Sequence, residues 1–123
     1  MVRNVLDLER ATITNDDYRR VIFTGHDLQL VLMTLAPGQQ IGSETHERHD
    51  QFICVESGIG KVSLDHEDYP VTHGTAIVIP AGVEHNLINT SSTQPLRLYT
   101  LYGPPEHPEG TVHPSKADEP TEH

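Results

Sequence analysis

Glycine and proline cut this chain into apolar pieces too short for helices of ordinary length. Pro37-Gly38 stops the run Leu28-Gln-Leu-Val-Leu-Met-Thr-Leu35. Gly58 and Gly60 stop Gln51-Phe-Ile-Cys-Val-Glu56, and Pro80-Ala-Gly82 stops Thr75-Ala-Ile-Val-Ile79. Such residues punctuate local structure, because proline fixes φ and glycine permits left-handed turns. Lys61-Val-Ser-Leu-Asp65 alternates polar and apolar with period two, as a half-buried strand does. Val71 falls in a short strand ending at Gly74, and His85–Ile88 and Leu96–Tyr102 complete the set. Short strands with turn signals every ~8 to 12 residues predict an all-β sandwich or barrel. No segment carries a helical stripe, and a short helix at Asp16–Arg20 is the only one the sequence suggests.

The 123 residues fit one domain. Residues 1–27 form an N-terminal arm with one strand, Arg20–Thr24, ended by Gly25. Residues 28–102 are the body. Residues 103–123 are a tail holding five of the nine prolines, and its last ten residues are expected to be mobile. His123 is read as part of a flexible end. The strand Arg20–Thr24 is placed to pair with a second subunit and so protect an exposed edge, which predicts a homodimer.

Eight Lys and Arg face eighteen Asp and Glu, a net charge of −10. That balance argues against a nucleic-acid partner, which needs a basic face, and against an anionic membrane surface. The longest apolar stretch, Leu28–Ala36, is too short to span a bilayer. The first residues carry no signal-peptide pattern. The single cysteine, Cys54, rules out an intramolecular disulfide, and the expected location is cytoplasmic.

Two spacings carry chemistry. The first is Gly38-x5-Glu44-x-His46-x4-Gln51-x6-Gly58, and the second is Gly74-x5-Pro80-x-Gly82-x2-His85-x3-Asn89. Glu44 and His46 are two apart, so on a strand they share a face. Gln51 opens the next strand, and His85 follows a tight Pro-Gly turn. In a closed sheet all four side chains can converge on one interior point. Their nitrogen and oxygen donors suit one divalent ion such as Mn, Fe, Co, Ni or Zn. With Glu44 the sole anion, such a site keeps a net positive charge and favours polarising a substrate oxygen.

These spacings resemble the two motifs of the cupin superfamily, G-x5-H-x-H-x3,4-E-x6-G and G-x5-P-x-G-x2-H-x3-N. The second agrees at every defined position. In the first, Glu44 stands where the family has its first histidine, His46 matches the second, and Gln51 stands where the family has glutamate. The resemblance covers about residues 28–102 and implies a double-stranded β-helix, a small jelly-roll barrel, with its metal near the open end. The segments Asp50–Gly58 and Leu98–His113 also resemble a subgroup of small cupins labelled mannose-6-phosphate isomerase-like. The two substitutions move the negative charge from one corner of the site to another. Because a glutamine carbonyl is a weaker donor than a carboxylate, weaker or differently selective metal binding is expected.

Each candidate has a plainer alternative. His46 and His85 could be hydrogen-bonded interior histidines of a barrel without metal. Gln51 could bond a water or a ligand carbonyl. His49 could replace Gln51 as a ligand, or lie on the surface. His26, His66 and His73 sit in turn-like contexts and are read as solvated. His107 and His113 follow the last strand, in a stretch that could fold over the barrel mouth. Strand alternation places Ile53 and Val55 with Gln51, Leu87 with His85, and Cys54 on the opposite face. Met33 or Leu35 is expected on the facing wall, and only one of Tyr99 and Tyr102 can reach the interior. The cavity is expected to be mostly apolar. The cations considered for a phosphate are Arg48, Lys61 and Arg97, which are not clustered. Asn89 is expected to bond backbone in its turn.

Three functions follow from this reading. The first is a metal-dependent isomerase of a sugar or sugar phosphate, with Glu44 or His49 as the base. The second is a non-haem metal oxygenase, since Glu44, His46 and His85 supply two histidines and a carboxylate. The third is a small-ligand-binding module without catalysis. In all three the partner is a small molecule.

Overall fold

The computed structural model describes residues 4–120, so His123 lies outside the described residues. Among the described residues a short helix, α1 (Leu8–Ile13), precedes nine strands. These are β1 (Arg19–Thr24), β2 (Gln29–Leu35), β3 (Asp50–Ser57), β4 (Gly60–Leu64), β5 (Glu67–Val71), β6 (Ala76–Ile79), β7 (His85–Asn89), β8 (Leu96–Gly103) and β9 (Val112–His113). A single 3-10 turn, Lys116–Asp118, follows. The strands form a six-stranded sheet, β6-β3-β8-β2-β1-β9, and a three-stranded sheet, β5-β4-β7. Residues 39–44 run beside β7, through Asn89 N–H to Gln39 O (2.9 Å), Ile41 N–H to Leu87 O (3.0 Å) and Glu44 N–H to His85 O (2.8 Å). The result is the all-β jelly roll expected from the sequence.

The core lies between the two sheets. Met33, Leu35, Ile53, Val55, Val62, Leu87, Leu96 and Leu98 are all buried there. Period-two alternation makes this layer: β8 buries Leu96, Leu98, Thr100 and Tyr102 and leaves the residues between them half-covered. Each large aliphatic side chain removed from water contributes roughly 1.5–3 kcal/mol. Gly58 is required where β3 turns into β4. Its φ is +101°, and a Cβ there would lie 2.5 Å from the Pro95 carbonyl oxygen.

Three expectations change. The helix lies at Leu8–Ile13 rather than at Asp16–Arg20. Asp7 caps it by accepting from Arg10 N–H at 3.1 Å, while Arg19 and Arg20 are already in β1. A helix of six residues is too short to show a stripe, and one buried residue, Thr12, anchors it. The edge of β1 is covered within the chain: Arg19 pairs with His113, Arg20 with Val112, and Val21 N–H donates to Thr111 O at 2.8 Å. The tail is therefore docked through residue 119, where it had been expected to be mobile over the last ten residues. Tyr18 N–H donates to Pro114 O at 3.2 Å, and Glu119 forms an ion pair with Arg19 at 2.9 Å. Its composition cannot build a core, but backbone bonds and one ion pair suffice to seat it on an existing barrel.

Candidate metal centre and its cavity

Backbone geometry brings Glu44 and His85 together. Each donates its N–H to the other's carbonyl, at 2.8 and 2.9 Å. The Pro80-Ala81-Gly82 turn fixes the third residue, since Gly82 N–H donates to His46 O at 2.9 Å and Gly82 takes φ +88°. The turn is tied to β3 by Ala81 N–H, which donates to Asp50 Oδ1 at 2.9 Å. Glu44 and His46 do not share a regular strand. They face one point because residues 39–44 pair with β7 and the chain then crosses the barrel mouth.

Glu44, His46 and His85 each offer a ligand atom, and these atoms lie within 4.8 Å of one another. Glu44 Oε1 is 3.4 Å from His46 Nε2 and 3.9 Å from His85 Nε2. His85 Nδ1 donates to Val83 O at 2.9 Å, which leaves Nε2 as the ring's lone-pair nitrogen. Both Nε2 atoms are buried with no hydrogen-bond partner among the described residues. Gln51, on β3, donates its Nε2 to Thr100 Oγ1 at 3.0 Å, and its Oε1 is likewise buried and unpartnered. Unpaired buried polar atoms are costly. Two imidazoles and a carboxylate fit a borderline divalent cation.

Burial pushes the Glu44 carboxyl up, but the close approach of His46 Nε2 and the charges of His46, His85 and Arg19 outweigh it and hold it low. His46 is raised, first by its close contact with the Glu44 carboxylate, against the opposing effect of burial. Tyr102, buried against the rings of His46 and His107 at centroid distances of 5.8 and 5.3 Å, is pushed up strongly by burial and then by Glu44. Tyr99 lies on the outer face, beside Phe52 and Cys54.

His49 does not join the cluster. Its Nδ1 donates to Pro104 O at 2.7 Å, and its Nε2 meets Glu106 Oε1 at 2.8 Å. Glu106 also faces His46 Nδ1 at 3.6 Å, so one carboxylate touches both rings. The sequence reading missed Glu106. It sits one residue before His107, in the stretch expected over the barrel mouth, and no spacing marks it.

A cavity of about 740 Å³ opens above the cluster. Its wall includes Arg19, Glu44, His46, Glu106, His107 and His113. Both tail histidines thus reach it, which the sequence had left open. Ile53, Val55, Leu87, Met33 and Leu35 point inward as expected, but they form closed core beneath the cavity rather than its wall. Apolar and polar groups share the cavity wall, and among the described residues its cation is Arg19. Of the three cations considered, Arg48 is exposed, Lys61 faces Asp68 at 3.4 Å, and Arg97 is held by Asp16 at 2.8 Å. Strand alternation could have flagged Arg19, because Arg19 and Val21 share one face of β1 and both are buried.

His26, His66 and His73 are exposed and face Asp27, Glu84 and Glu56. Asn89 holds its turn by donating to Leu35 O, Ala36 O and Gln94 O. No helix among the described residues is long and apolar enough to cross a membrane.

The Cupin_2 family, the cupin domain, matches residues 31–102, and the chain belongs to it. YrkC of Bacillus subtilis strain 168 is 46% identical over 120 residues, covering 93% of this chain and 64% of YrkC. The chain therefore spans a little under two-thirds of that relative. The crystal structure of BH2720 from Bacillus halodurans is 43% identical, with a TM-score of 0.91 over 94% of this chain and 92% of the other. KdgF from a Halomonas species is 26% identical, with a TM-score of 0.66 over 72% and 78% of the two chains.

Proposed function

We propose that this protein is a metal-dependent enzyme that moves a proton on a small oxygen-bearing substrate, the isomerase-like reading of the sequence. The observation that carries it is Glu106, paired with His49, which lines the same cavity as Glu44 and His46. A binding module has no need of a second carboxylate there, whereas proton transfer does.

Glu44 Oε1, His46 Nε2 and His85 Nε2 would hold one divalent transition metal, with Gln51 Oε1 as a fourth donor. Gln51 is preferred to His49 because both His49 nitrogens are already engaged. Such an ion supplies Lewis acidity, which polarises a substrate carbonyl or hydroxyl. Glu106 then acts as the base, with His49 Nε2 sharing the proton it takes up. Pro104 O holds the His49 ring by accepting from Nδ1, which keeps Nε2 aimed at the carboxylate. Glu44, assigned to the metal, is not free to serve as the base considered from sequence. His107 lines the cavity and packs edge to face against Tyr102. A sugar or sugar phosphate, as in the mannose-6-phosphate isomerase-like subgroup, remains within this reading, and a homodimer remains the proposed assembly.

A second reading, a non-haem oxygenase, is favoured by the composition of the cluster, two imidazoles and one carboxylate. Elemental analysis of untagged protein beside a His46→Ala, His85→Ala double variant is the first test. About one equivalent of metal in the parent alone supports the site. No metal after incubation with Fe(II), Mn, Ni and Zn overturns it. Solvent deuterium incorporated into an aldose–ketose pair then supports isomerisation, and Fe(II)-dependent oxygen uptake supports the second reading instead.

A further inference from the structure

Arg19 is the only Arg or Lys buried among the described residues, at 3% exposure. A guanidinium taken out of water is costly unless its donors are matched. Here the match is partial. Nη1 meets Glu119 Oε2 at 2.9 Å and His113 Nδ1 at 3.2 Å, while Nε is buried with no partner among the described residues. The side chain forms part of the wall of the cavity that also holds Glu44 and His46. Arginine presents N–H groups in a planar fork that suits a carboxylate. The carboxylate now on it belongs to the tail: Glu119 is 28% exposed, so it can swing into solvent.

We propose that Arg19 is the anion subsite of this cavity and binds the carboxylate of a small hydroxy or oxo acid, which displaces Glu119. The acid's hydroxyl or carbonyl oxygen then points toward Glu44, His46 and His85. This second contact rests on the proposed function; the contact with Arg19 does not. Charge selects a carboxylate over a phosphate. Glu44, Glu106 and Glu119 border the same cavity, and among the described residues Arg19 is the one guanidinium on it. A monoanion is matched by one guanidinium, whereas a dianion would meet the remaining carboxylates uncompensated.

The test uses the full chain, first stripped of metal with a chelator and then reloaded with zinc. Glycolate, its neutral analogue glycolamide and inorganic phosphate are titrated in each state by calorimetry or ligand-observed NMR. Glycolate is expected to bind at least five-fold tighter than glycolamide. Arg19→Gln should abolish that preference. Because a buried arginine variant could fail to fold, Glu119→Gln supplies an independent arm. It removes the competing carboxylate from a half-buried position and should tighten glycolate at least three-fold without altering glycolamide. Equal binding of glycolate and glycolamide in both states overturns the proposal, as does a preference that Glu119→Gln leaves unchanged. Phosphate binding tighter than glycolate overturns the carboxylate assignment. A glycolate preference in protein that takes up no metal supports this subsite while refuting the proposed function.

Discussion

Gln29 grips His107 at both ends of its backbone. Its Nε2 donates to His107 O at 2.8 Å, and its Oε1 accepts from His107 N–H at 2.9 Å and from Glu106 N–H at 3.0 Å. Gln29 is itself fully buried, and Nε2 also donates to Thr24 Oγ1 at 3.0 Å. One amide at the start of β2 therefore sets where Glu106 and His107 stand.

Gln29→Leu keeps the volume and removes these bonds. It leaves two amides and a carbonyl without partners, so stability should fall by about 2–4 kcal/mol. The amides of Glu106 and His107 should also lose protection from exchange while β3 and β8 keep theirs. Urea denaturation and hydrogen exchange by mass spectrometry check both. Unchanged exchange at Glu106 and His107 counts against the clamp.

Glu106→Gln tests the carboxylate that touches both His46 and His49. The shape is kept and the charge is lost. Carboxylates that orient a ligating imidazole typically contribute 10–100-fold in metal affinity, and a loss of that size is expected in a chelator competition. Deuterium exchange into substrate should fall further than affinity does, because the base is removed as well. Unaltered affinity and unaltered exchange would show that Glu106 serves neither role.

The body of the fold was legible because its signals are local. Pro37-Gly38, Gly58 and Pro80–Gly82 mark turns, and alternation along Gln51–Val55 and Leu96–Tyr102 marks faces. That Glu44, His46 and His85 come together was legible because their spacing survives from motif to structure. The partners of Arg19, the place of Glu106 and the docking of the tail were not. Each depends on a contact between segments roughly 80 to 100 residues apart, Gln29 with 106–107 and Arg19 with 113 and 119, and no periodicity records such a pairing. The helix at Leu8–Ile13 escaped for a different reason, since six residues anchored by Thr12 give no repeat to read.

The expected homodimer has lost β1 as its pairing edge, because β9 covers Arg19 and Arg20. Among the described strands β6 is an edge of the larger sheet, bonded to β3 alone, and its Val78 is 68% exposed. Light scattering is expected to return twice the chain mass, and Val78→Lys to shift the population toward monomer by placing a charge on that edge. A monomer for the parent protein refutes the assembly. A dimer insensitive to Val78→Lys places the interface elsewhere.

His107 gives the fold a pH dependence whose sign is fixed by burial. Burial, followed by the charge of Arg19, lowers its pKa from 6.5 to about 4. The unfolded chain therefore binds a proton in this window that the folded chain refuses. Stability is full above about pH 6.5, falls as pH drops toward 4, and levels off below that. With the ring partly open to solvent, the loss is on the order of 2 kcal/mol. A bound divalent cation would act in the same direction, since it further disfavours an imidazolium nearby. His107→Phe retains the ring against Tyr102, at 5.3 Å in the parent, and removes the titration. Denaturation midpoints between pH 4 and 7 should therefore slope less steeply in this variant than in the parent. Parallel slopes would mean that His107 is protonated in the folded state as readily as in the unfolded one.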